Sequence, residues 1–424
     1  MTPGLEDENL RLKRAVEELS ILNEIALATS STMGVERMTE LIVKKCVQHI
    51  RAEQGTIWMV GQVPEADPLK TLVRVMDSSV SGLPYRMGMN IIGWMLKNQK
   101  PLLVSDLAND DRFKGMQRES EKMKSLMAVP LRLKNKMIGV LCLFNKKDDA
   151  DFTPDDQRLL SIIAIQSAQA IENARLYEEE RKLIALEEDL RTARLIQKSL
   201  LPKENPSLQG VDIAGVSIPA KEVGGDYYDF IAIDEDHLGI VIADVSGKGT
   251  PAALLMANLQ ACLRGQALID RSVKDTVGKA NFMLSRFMDA GKFITLFYGI
   301  LDLRDKIFTY TNAGHNFPFL LDKHNDLTTL EKGGTILGIS DRLAYEEETV
   351  QLKPGDLLLL YTDGITEATN VEEEMFEENR LLRVLRENQS LSAQQLSQKI
   401  VDEVLLFQGT APQSDDITLV LVKT

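Results

Sequence analysis

The sequence predicts an α+β protein of several domains, in which a helical linker joins two parts of different character. Its 424 residues exceed one ordinary domain, since domains commonly hold roughly 100–200 residues. Strand-like and helix-like segments alternate up to about residue 150, whereas after about residue 205 groups of strands alternate with pairs of helices. Between these parts, apolar residues recur at helical spacing.

The composition is that of a folded protein that does not bind nucleic acid. Hydrophobic residues make up 44% and charged residues 26% of the chain, close to the globular average. The formal net charge of −14 disfavours a nucleic-acid partner, because phosphate contacts need an excess of Lys and Arg. No apolar run reaches the ~18 residues of a membrane span, and the charged N-terminus has no signal-peptide core. We therefore expect a cytoplasmic protein without a membrane partner.

The three cysteines support the same compartment. Cys46, Cys142 and Cys262 are far apart and form no Cys-x-x-Cys motif. Such a pattern predicts neither a disulfide framework nor a thiolate zinc site. We expect three small apolar side chains in a reducing compartment.

The first segment, residues 1–18 with a short continuation, predicts a coiled-coil helix. Apolar residues recur every seven positions, with Asn or Val four residues after the first three of them, a pattern that favours a parallel two-stranded coil. An amphipathic helix that packs on its own domain is the alternative. The residues concerned are Leu5, Leu12, Leu19 and Ala26, with Asn9, Val16 and Asn23 between them.

Residues 19–175 predict an α/β domain that ends in a long helix. Thr153 is placed as the N-cap of that helix, with Pro154 at its first position. Three stretches resemble a GAF domain: the run from Gly88 or Gly93 to Asp106, the Ala-Val-Pro-Leu strand 128–131, and the strand GVLCLFNK. The resemblance implies a sensor domain with an unidentified small-molecule ligand.

A second pattern in this domain resembles the signature of cyclic-nucleotide-binding GAF domains. It consists of Asn145-Lys146, Phe152 and Asp156-Gln157, and it departs from the signature at Gln157, where the motif has Glu. Asp156 also falls in the first turn of a helix, where the helix dipole favours an acid. A structural role therefore competes with nucleotide binding.

Residues 176–204 predict a helical coiled-coil linker that ends at Pro202. Glu179 and Gln197 interrupt its apolar seam, which makes the coil imperfect. We expect a homodimer through the coiled-coil helices, with a rigid spacer as the alternative. The remaining seam residues are Leu176, Leu183, Leu186, Leu190, Ala193 and Leu200.

Residues 205–424 predict two packed sheets covered by helix pairs, and they carry four acidic motifs at strand boundaries. Buried carboxylates that converge repel one another unless a cation compensates them, and oxygen-only ligand sets suit hard divalent ions. The absence of a Cys or His cluster favours Mg²⁺ or Mn²⁺ over zinc. The acids are Asp226 in GGDYYDF, Asp244 in ADVSGKG, Asp363 in YTDGITEA, and Asp415 and Asp416 in QSDDITLVL.

The ordered motifs GGDYYD, DVSGKG, FITLFYG, NAGHNFP, LYTDG and DDIT resemble the SpoIIE-type, RsbU-like branch of the PPM phosphatases. The resemblance covers residues 205–424. It implies a β-sandwich flanked by helix pairs and a metal-dependent hydrolysis of phosphoserine or phosphothreonine without a covalent phosphoenzyme.

The resemblance also implies roles for individual residues. Asp226 and Asp244 would hold two central ions, Mn²⁺ or Mg²⁺, with the backbone carbonyl of Val245 as a further ligand. Asp363 and Asp415 would complete the coordination of the second ion, with Asp416 as the alternative to Asp415.

Two further residues have competing interpretations. Lys221, five residues before the first acid, is a phosphate-binding candidate, and a solvated surface lysine is the alternative. His315 is interpreted as a residue that fixes the turn before Pro318 rather than as a general acid.

The sequence thus favours a protein phosphatase controlled by the GAF domain. By family analogy its substrate is a phosphorylated protein of the anti-anti-sigma (STAS) type. A catalytically inactive pseudophosphatase that serves as a ligand-responsive docking protein is the alternative, although a scaffold needs no acid at any of these positions. Cyclic-nucleotide turnover is disfavoured, because GAF domains normally bind without catalysing.

Overall fold

The computed structural model describes residues 34–60, 69–76, 89–113, 123–289 and 291–424, together with positions 12, 15, 16, 19, 20, 23 and 24. The chain divides into two compact units, Met1–Ala185 and Leu186–Thr424. The predicted domain limits at residues 18, 175 and 204 stay predictions. The limit at residue 175 falls inside one uninterrupted helix, Pro154–Leu200.

The N-terminal unit contains a five-stranded antiparallel sheet with helices on both faces. The strand order is β2-β1-β5-β4-β3. The strands and the tight turn at residues 134–135 agree with the pattern of the sequence. The elements are α1 (Val35–Ile50), β1 (Ala52–Val60), β2 (Leu69–Met76), α2 (Met89–Asn98), β3 (Leu102–Val104), β4 (Leu126–Leu133), β5 (Lys136–Lys146) and α3 (Pro154–Leu200).

Alternation along β5 builds a core on each face of this sheet. Leu141 and Leu143 pack with α1 and the first turns of α3, whereas Val140 and Cys142 face α2 on the other side. Cys142 is buried as predicted, and burial raises the pKa of its thiol. The two-residue period of the strand therefore determines both cores.

Helix α3 begins as the sequence predicts. The Thr153 hydroxyl accepts a hydrogen bond from the Asp156 N–H at 3.2 Å, and Asp156 Oδ2 accepts one from the Thr153 N–H at 2.7 Å. Further along, three seam leucines, Leu176, Leu183 and Leu186, remain 52%, 62% and 55% exposed. An apolar stripe therefore lies open on α3.

The N-terminal heptad pattern falls mostly outside the described residues. Its described positions are helical, and the side chains of Leu12, Val16 and Leu19 are exposed. Leu5, Asn9 and Ala26 lie outside the described part of the chain. Among the helices that the structure describes, none combines the length and apolarity needed to cross a membrane.

The C-terminal unit is a sandwich of two mainly antiparallel sheets. One sheet has the order β13-β10-β9-β8-β7 with β14 beside β10, and the other has the order β12-β11-β15-β16-β6. The elements are β6 (Asp212–Ile218), β7 (Tyr227–Ala232), β8 (His237–Val245), α4 (Thr250–Ala267), α5 (Val273–Leu284), β9 (Ile294–Asp302), β10 (Ile307–Ala313), β11 (Phe319–Leu321), β12 (Leu327–Thr329), β13 (Gly333–Gly334), β14 (Glu348–Gln351), β15 (Leu357–Tyr361), α6 (Asp363–Thr366), α7 (Glu377–Glu387), α8 (Ala393–Gln408) and β16 (Ile417–Lys423).

Three apolar layers hold this sandwich together. Ile240 and Ile242 of β8 face the core between the sheets, while Val241 and Ala243 of the same strand face α4 and α5. On β16, Val420 faces the inner core and its neighbours face α7 and α8. This four-layer arrangement confirms the predicted sandwich with helix pairs on its outer faces.

Candidate active site

The acidic motifs lie where the two sheets bring strand ends to one side. β7 and β8 are antiparallel, so Asp226 just before β7 lies near Asp244 toward the end of β8. β15 and β16 are also antiparallel, so Asp363 after β15 lies near the residues that precede β16. A hydrogen bond joins the two sheets here, since Thr362 Oγ1 donates to Asp226 Oδ2 at 2.9 Å. The fold therefore gathers acids that are up to 190 residues apart in sequence.

These carboxyl groups are buried against one another. Burial, followed by the charges of Asp244 and Asp416, raises the pKa of Asp226 well above its ordinary value. Burial and the charges of Asp363, Asp415 and Asp416 raise the pKa of Asp244 to about 7. Burial and nearby acids likewise raise the pKa of Asp363. The site is thus a concentration of negative charge that favours a bound cation or proton.

The predicted carbonyl ligand, Val245, also lies beside the first acid. A Cβ on Gly225 would meet the Val245 carbonyl oxygen at 2.8 Å, so only glycine lets the backbone pass there. This close approach explains the second glycine of the GGD motif. It also places the Val245 carbonyl next to the segment that ends in Asp226.

The neighbours Asp415 and Asp416 have different surroundings. Asp415 Oδ2 lies 2.8 Å from Lys248 Nζ and is half-buried. The Asp416 carboxylate is buried and accepts hydrogen bonds from the backbone N–H groups of Ala220 at 2.7 Å and Gly225 at 2.7 Å. Asp416 therefore stabilises the segment before Asp226, whereas its neighbour faces the other acids.

The donor set fits hard divalent cations. Its members are carboxylates and one backbone carbonyl, and their mutual repulsion is what a cation would relieve. Across the described residues, no three Asp, Glu, His or Cys side chains already surround one point in a geometry that could hold an ion. Instead, Asp415 forms an ion pair with Lys248, and Asp416 accepts hydrogen bonds from the backbone N–H groups of residues 220 and 225. Ion binding at Asp415 would therefore require its ion pair with Lys248 to open.

Lys221 and Lys248 differ in their relation to the acids. Lys221 is exposed in the turn that precedes Gly224. Lys248, in the DVSGKG motif, forms the ion pair with Asp415, and that pair raises the pKa of Lys248. Sequence reasoning missed this lysine, although its position four residues after Asp244 was visible.

His315 is a buried turn residue. Its backbone N–H donates to Asn312 Oδ1 at 2.7 Å, and its Nδ1 lies 2.8 Å from Thr295 Oγ1. Its Nε2 is buried and has no hydrogen-bond partner in the part of the chain that the structure describes. Burial lowers the pKa of this imidazole to about 4. These contacts favour the structural role over that of a general acid.

The residues of the cyclic-nucleotide signature make structural contacts in the N-terminal unit. Lys146 forms an ion pair with Asp156, and Phe152 is buried in the core beneath α3. Asn145 accepts hydrogen bonds from the backbone N–H groups of Lys124 and Ser125. These contacts explain the motif without a nucleotide.

Comparisons with known proteins agree with this architecture. The GAF domain family model matches residues 21–171, and the model described as Stage II sporulation protein E (SpoIIE) matches residues 234–424. The solved structure of the SiaA-PP2C domain of Pseudomonas aeruginosa is similar, with 22% sequence identity and a TM-score of 0.52. The match covers 57% of this chain and 98% of that one. This likeness shows the PP2C-like fold of the C-terminal unit. The SpoIIE family model places the same unit in the PPM (PP2C) class of domains.

Two curated relatives extend the match. The phosphoserine phosphatase RsbU of Bacillus subtilis (strain 168) is 32% identical over 252 residues, which cover 58% of this chain and 74% of that protein. Protein IcfG of Synechocystis sp. is 30% identical over 261 residues, which cover 55% of this chain and 41% of that protein. The chain belongs to the RsbU-like family of protein serine phosphatases.

Proposed function

We propose that the chain is a metal-dependent phosphatase that removes phosphate from a serine or threonine of a partner protein. The observation that carries the proposal is the gathering of Asp226, Asp244, Asp363 and Asp415 at one edge of the sandwich, with raised pKa values for the first three. By analogy with the relative named a phosphoserine phosphatase, the substrate carries phosphoserine. From the family resemblance of the sequence, we expect that substrate to be a protein with a STAS-type fold.

The residues of this chain have separable tasks in that reaction. Asp226, Asp244, Asp363, Asp415 and the Val245 carbonyl would hold two Mn²⁺ or Mg²⁺ ions, with Asp416 as a supporting residue. Such ions supply activation of water and neutralisation of phosphoryl charge. Thr362 orients the Asp226 carboxylate through its 2.9 Å hydrogen bond. Lys248, whose Nζ lies 2.8 Å from Asp415 Oδ2, would join Lys221 as a candidate contact to a phosphoryl group.

Phosphate release from a phosphoserine protein tests this proposal. With Mn²⁺ present, the wild-type chain should release phosphate, and Asp363→Asn should abolish the release. Asp402→Asn, at an exposed acid of α8, is the matched control and should be as active as the wild type. Release that survives Asp363→Asn would contradict the role of this acid, and release that is missing with every metal would favour the inactive docking protein.

Control by the N-terminal unit is the second part of the proposal. Helix α3 has residues in both units, and its exposed seam leucines suit a second copy of the chain. Leu183→Glu should reduce the mass measured by light scattering from dimer to monomer. Ile184→Glu, at an exposed residue off the seam, is the control. A chain that begins at Leu176 should still bind metal, and its activity should differ from that of the full chain. Identical activity would contradict regulation by the N-terminal unit.

A further inference from the structure

The last turns of helix α3 are hydrogen-bonded to the segment that precedes Asp226. Gln197 Nε2 donates to the Gly224 carbonyl at 2.6 Å, and the Gly224 N–H donates to Gln197 Oε1 at 3.1 Å. One side chain thus satisfies both backbone groups of a residue two positions before Asp226. The sequence pattern placed Gln197 in the coiled-coil seam, whereas in the structure its side-chain amide is hydrogen-bonded to Gly224 of the C-terminal unit.

Asp416 also holds this segment, through its carboxylate. Its carboxylate accepts the Gly225 N–H at 2.7 Å and the Asp226 N–H at 3.4 Å. A Cβ on Gly224 would meet Asp416 Oδ2 at 2.3 Å, so the segment fits closely between the two side chains. The position of Asp226 therefore depends on both contacts.

The helix end is itself anchored to the sandwich. Gln260 of α4 donates to the Leu200 carbonyl at 3.2 Å, and Leu201 packs against the inner core. Beside the Gln197 amide lies a cavity of about 490 Å³, whose lining includes Lys198, Asp226 and Asp416. Gln197 and Gly224 line the same cavity, so the paired hydrogen bonds lie at its wall.

We infer that Gln197 is a positioning residue that sets the Asp226 carboxylate for ion binding, through its paired hydrogen bonds to Gly224. The inference rests on the proposed metal-dependent function and adds to it a residue outside the acidic cluster. A change in the last turn of α3 would alter the affinity for the ion without touching any ligand. Arg194, one turn earlier, contributes little, since its ion pair with Glu222 is exposed on both sides.

The test measures Mn²⁺ affinity of the full chain by isothermal titration calorimetry and amide exchange of residues 222–226 by mass spectrometry. Gln197→Ala should weaken Mn²⁺ binding about tenfold and speed amide exchange at Gly224, since two hydrogen bonds are lost. Ser199→Ala is the matched control on the same helical turn, because the Ser199 hydroxyl donates to the Ile196 carbonyl within the helix.

Gln197→Glu is the second variant, in case Gln197→Ala lowers the melting temperature. It keeps the acceptor for the Gly224 N–H and replaces the donor to the Gly224 carbonyl, so a loss of affinity without a loss of stability supports the inference. Wild-type affinity and exchange in Gln197→Glu, or in a stable Gln197→Ala, would overturn the inference alone. A wild-type chain that binds no Mn²⁺ would overturn the proposed function and the inference with it.

Discussion

The Asp416 carboxylate accepts a hydrogen bond from the Gly225 N–H at 2.7 Å, across 191 residues of sequence. Its neighbour Asp415 instead faces Lys248 at 2.8 Å. Two adjacent acids therefore have different tasks: one fixes the backbone before Asp226, and the other belongs to the acidic cluster. The difference makes the two residues separable by experiment.

Substitution of Asp416 should mainly lower stability, whereas substitution of Asp415 should mainly weaken Mn²⁺ binding. Asp416→Ala leaves buried N–H groups without an acceptor and should lower the free energy of unfolding by about 2–4 kcal/mol. Asp415→Ala should change it by less than about 1 kcal/mol, because the pair with Lys248 is partly exposed. Asp415→Ala should nevertheless weaken Mn²⁺ binding beyond the roughly 10–100-fold typical of outer-shell partners. Urea denaturation and calorimetry measure both effects, and equal profiles would contradict the distinction.

In the metal-free protein, the repulsion among the buried acids should lower the free energy of unfolding near neutral pH. Asp244 has a pKa raised to about 7, so the folded state binds more protons than the unfolded state between about pH 4 and pH 7. Its contribution to stability therefore grows as the pH falls through this range. Asp244→Asn should melt higher than the wild type at pH 7.5 in a chelator, and the difference should narrow at pH 5.5. A difference that does not change with pH would contradict the assignment.

His315 should have the opposite effect on how stability depends on pH. Its pKa is lowered to about 4 by burial, so the folded state binds fewer protons than the unfolded state between about pH 4 and pH 6.5. The wild type should therefore lose stability as the pH falls through this range, and His315→Gln should lose less. Denaturation at pH 7.5 and pH 5 measures the change.

The same variant distinguishes the two interpretations of His315. A turn residue can be replaced with a loss of activity of about threefold, whereas a general acid contributes about 10²–10⁴-fold. We expect His315→Gln at pH 7.5 to stay near the first value. A loss of a hundredfold or more with an unchanged melting temperature would assign it to the chemistry.

The GGDYYDF motif also contains a structural acid. Asp229 is fully buried and accepts hydrogen bonds from Arg264 of α4 at 2.5 and 2.8 Å. Arg264→Ala leaves this carboxylate unpaired and should cost about 2–3 kcal/mol of unfolding free energy, because the guanidinium is partly solvated. Arg271→Ala, which removes a more exposed ion pair with Asp234, should cost less than about 1 kcal/mol. Similar losses in the two variants would contradict this account.

The sequence predicted most of the sandwich, because its strands alternate strongly. On β8, Ile240 and Ile242 face one core and Val241 and Ala243 face another, which is the two-residue period expected of a strand covered on both faces. The short pieces β12 and β13 were missed. They are held by pairing with neighbouring strands rather than by their own pattern, so their sequence carries little signal.

The acids of the candidate site were predictable and their partners were not. Asp226 and Asp363 follow glycine-rich or strand-end patterns that are visible in the chain. Thr362 and Gln197 are ordinary residues whose roles depend on contacts between distant segments. Lys221, chosen for its distance to Asp226 in sequence, is exposed, and its contact with phosphate stays a prediction. Spacing along the chain does not determine direction in space.

The most direct test is a crystal structure of the full chain grown with Mn²⁺, with the ions located by anomalous scattering. We predict two ions among Asp226, Asp244, Asp363, Asp415 and the Val245 carbonyl, with Asp416 still bonded to the Gly225 N–H. Anomalous peaks elsewhere, or none within this group of acids at saturating Mn²⁺, would contradict the account.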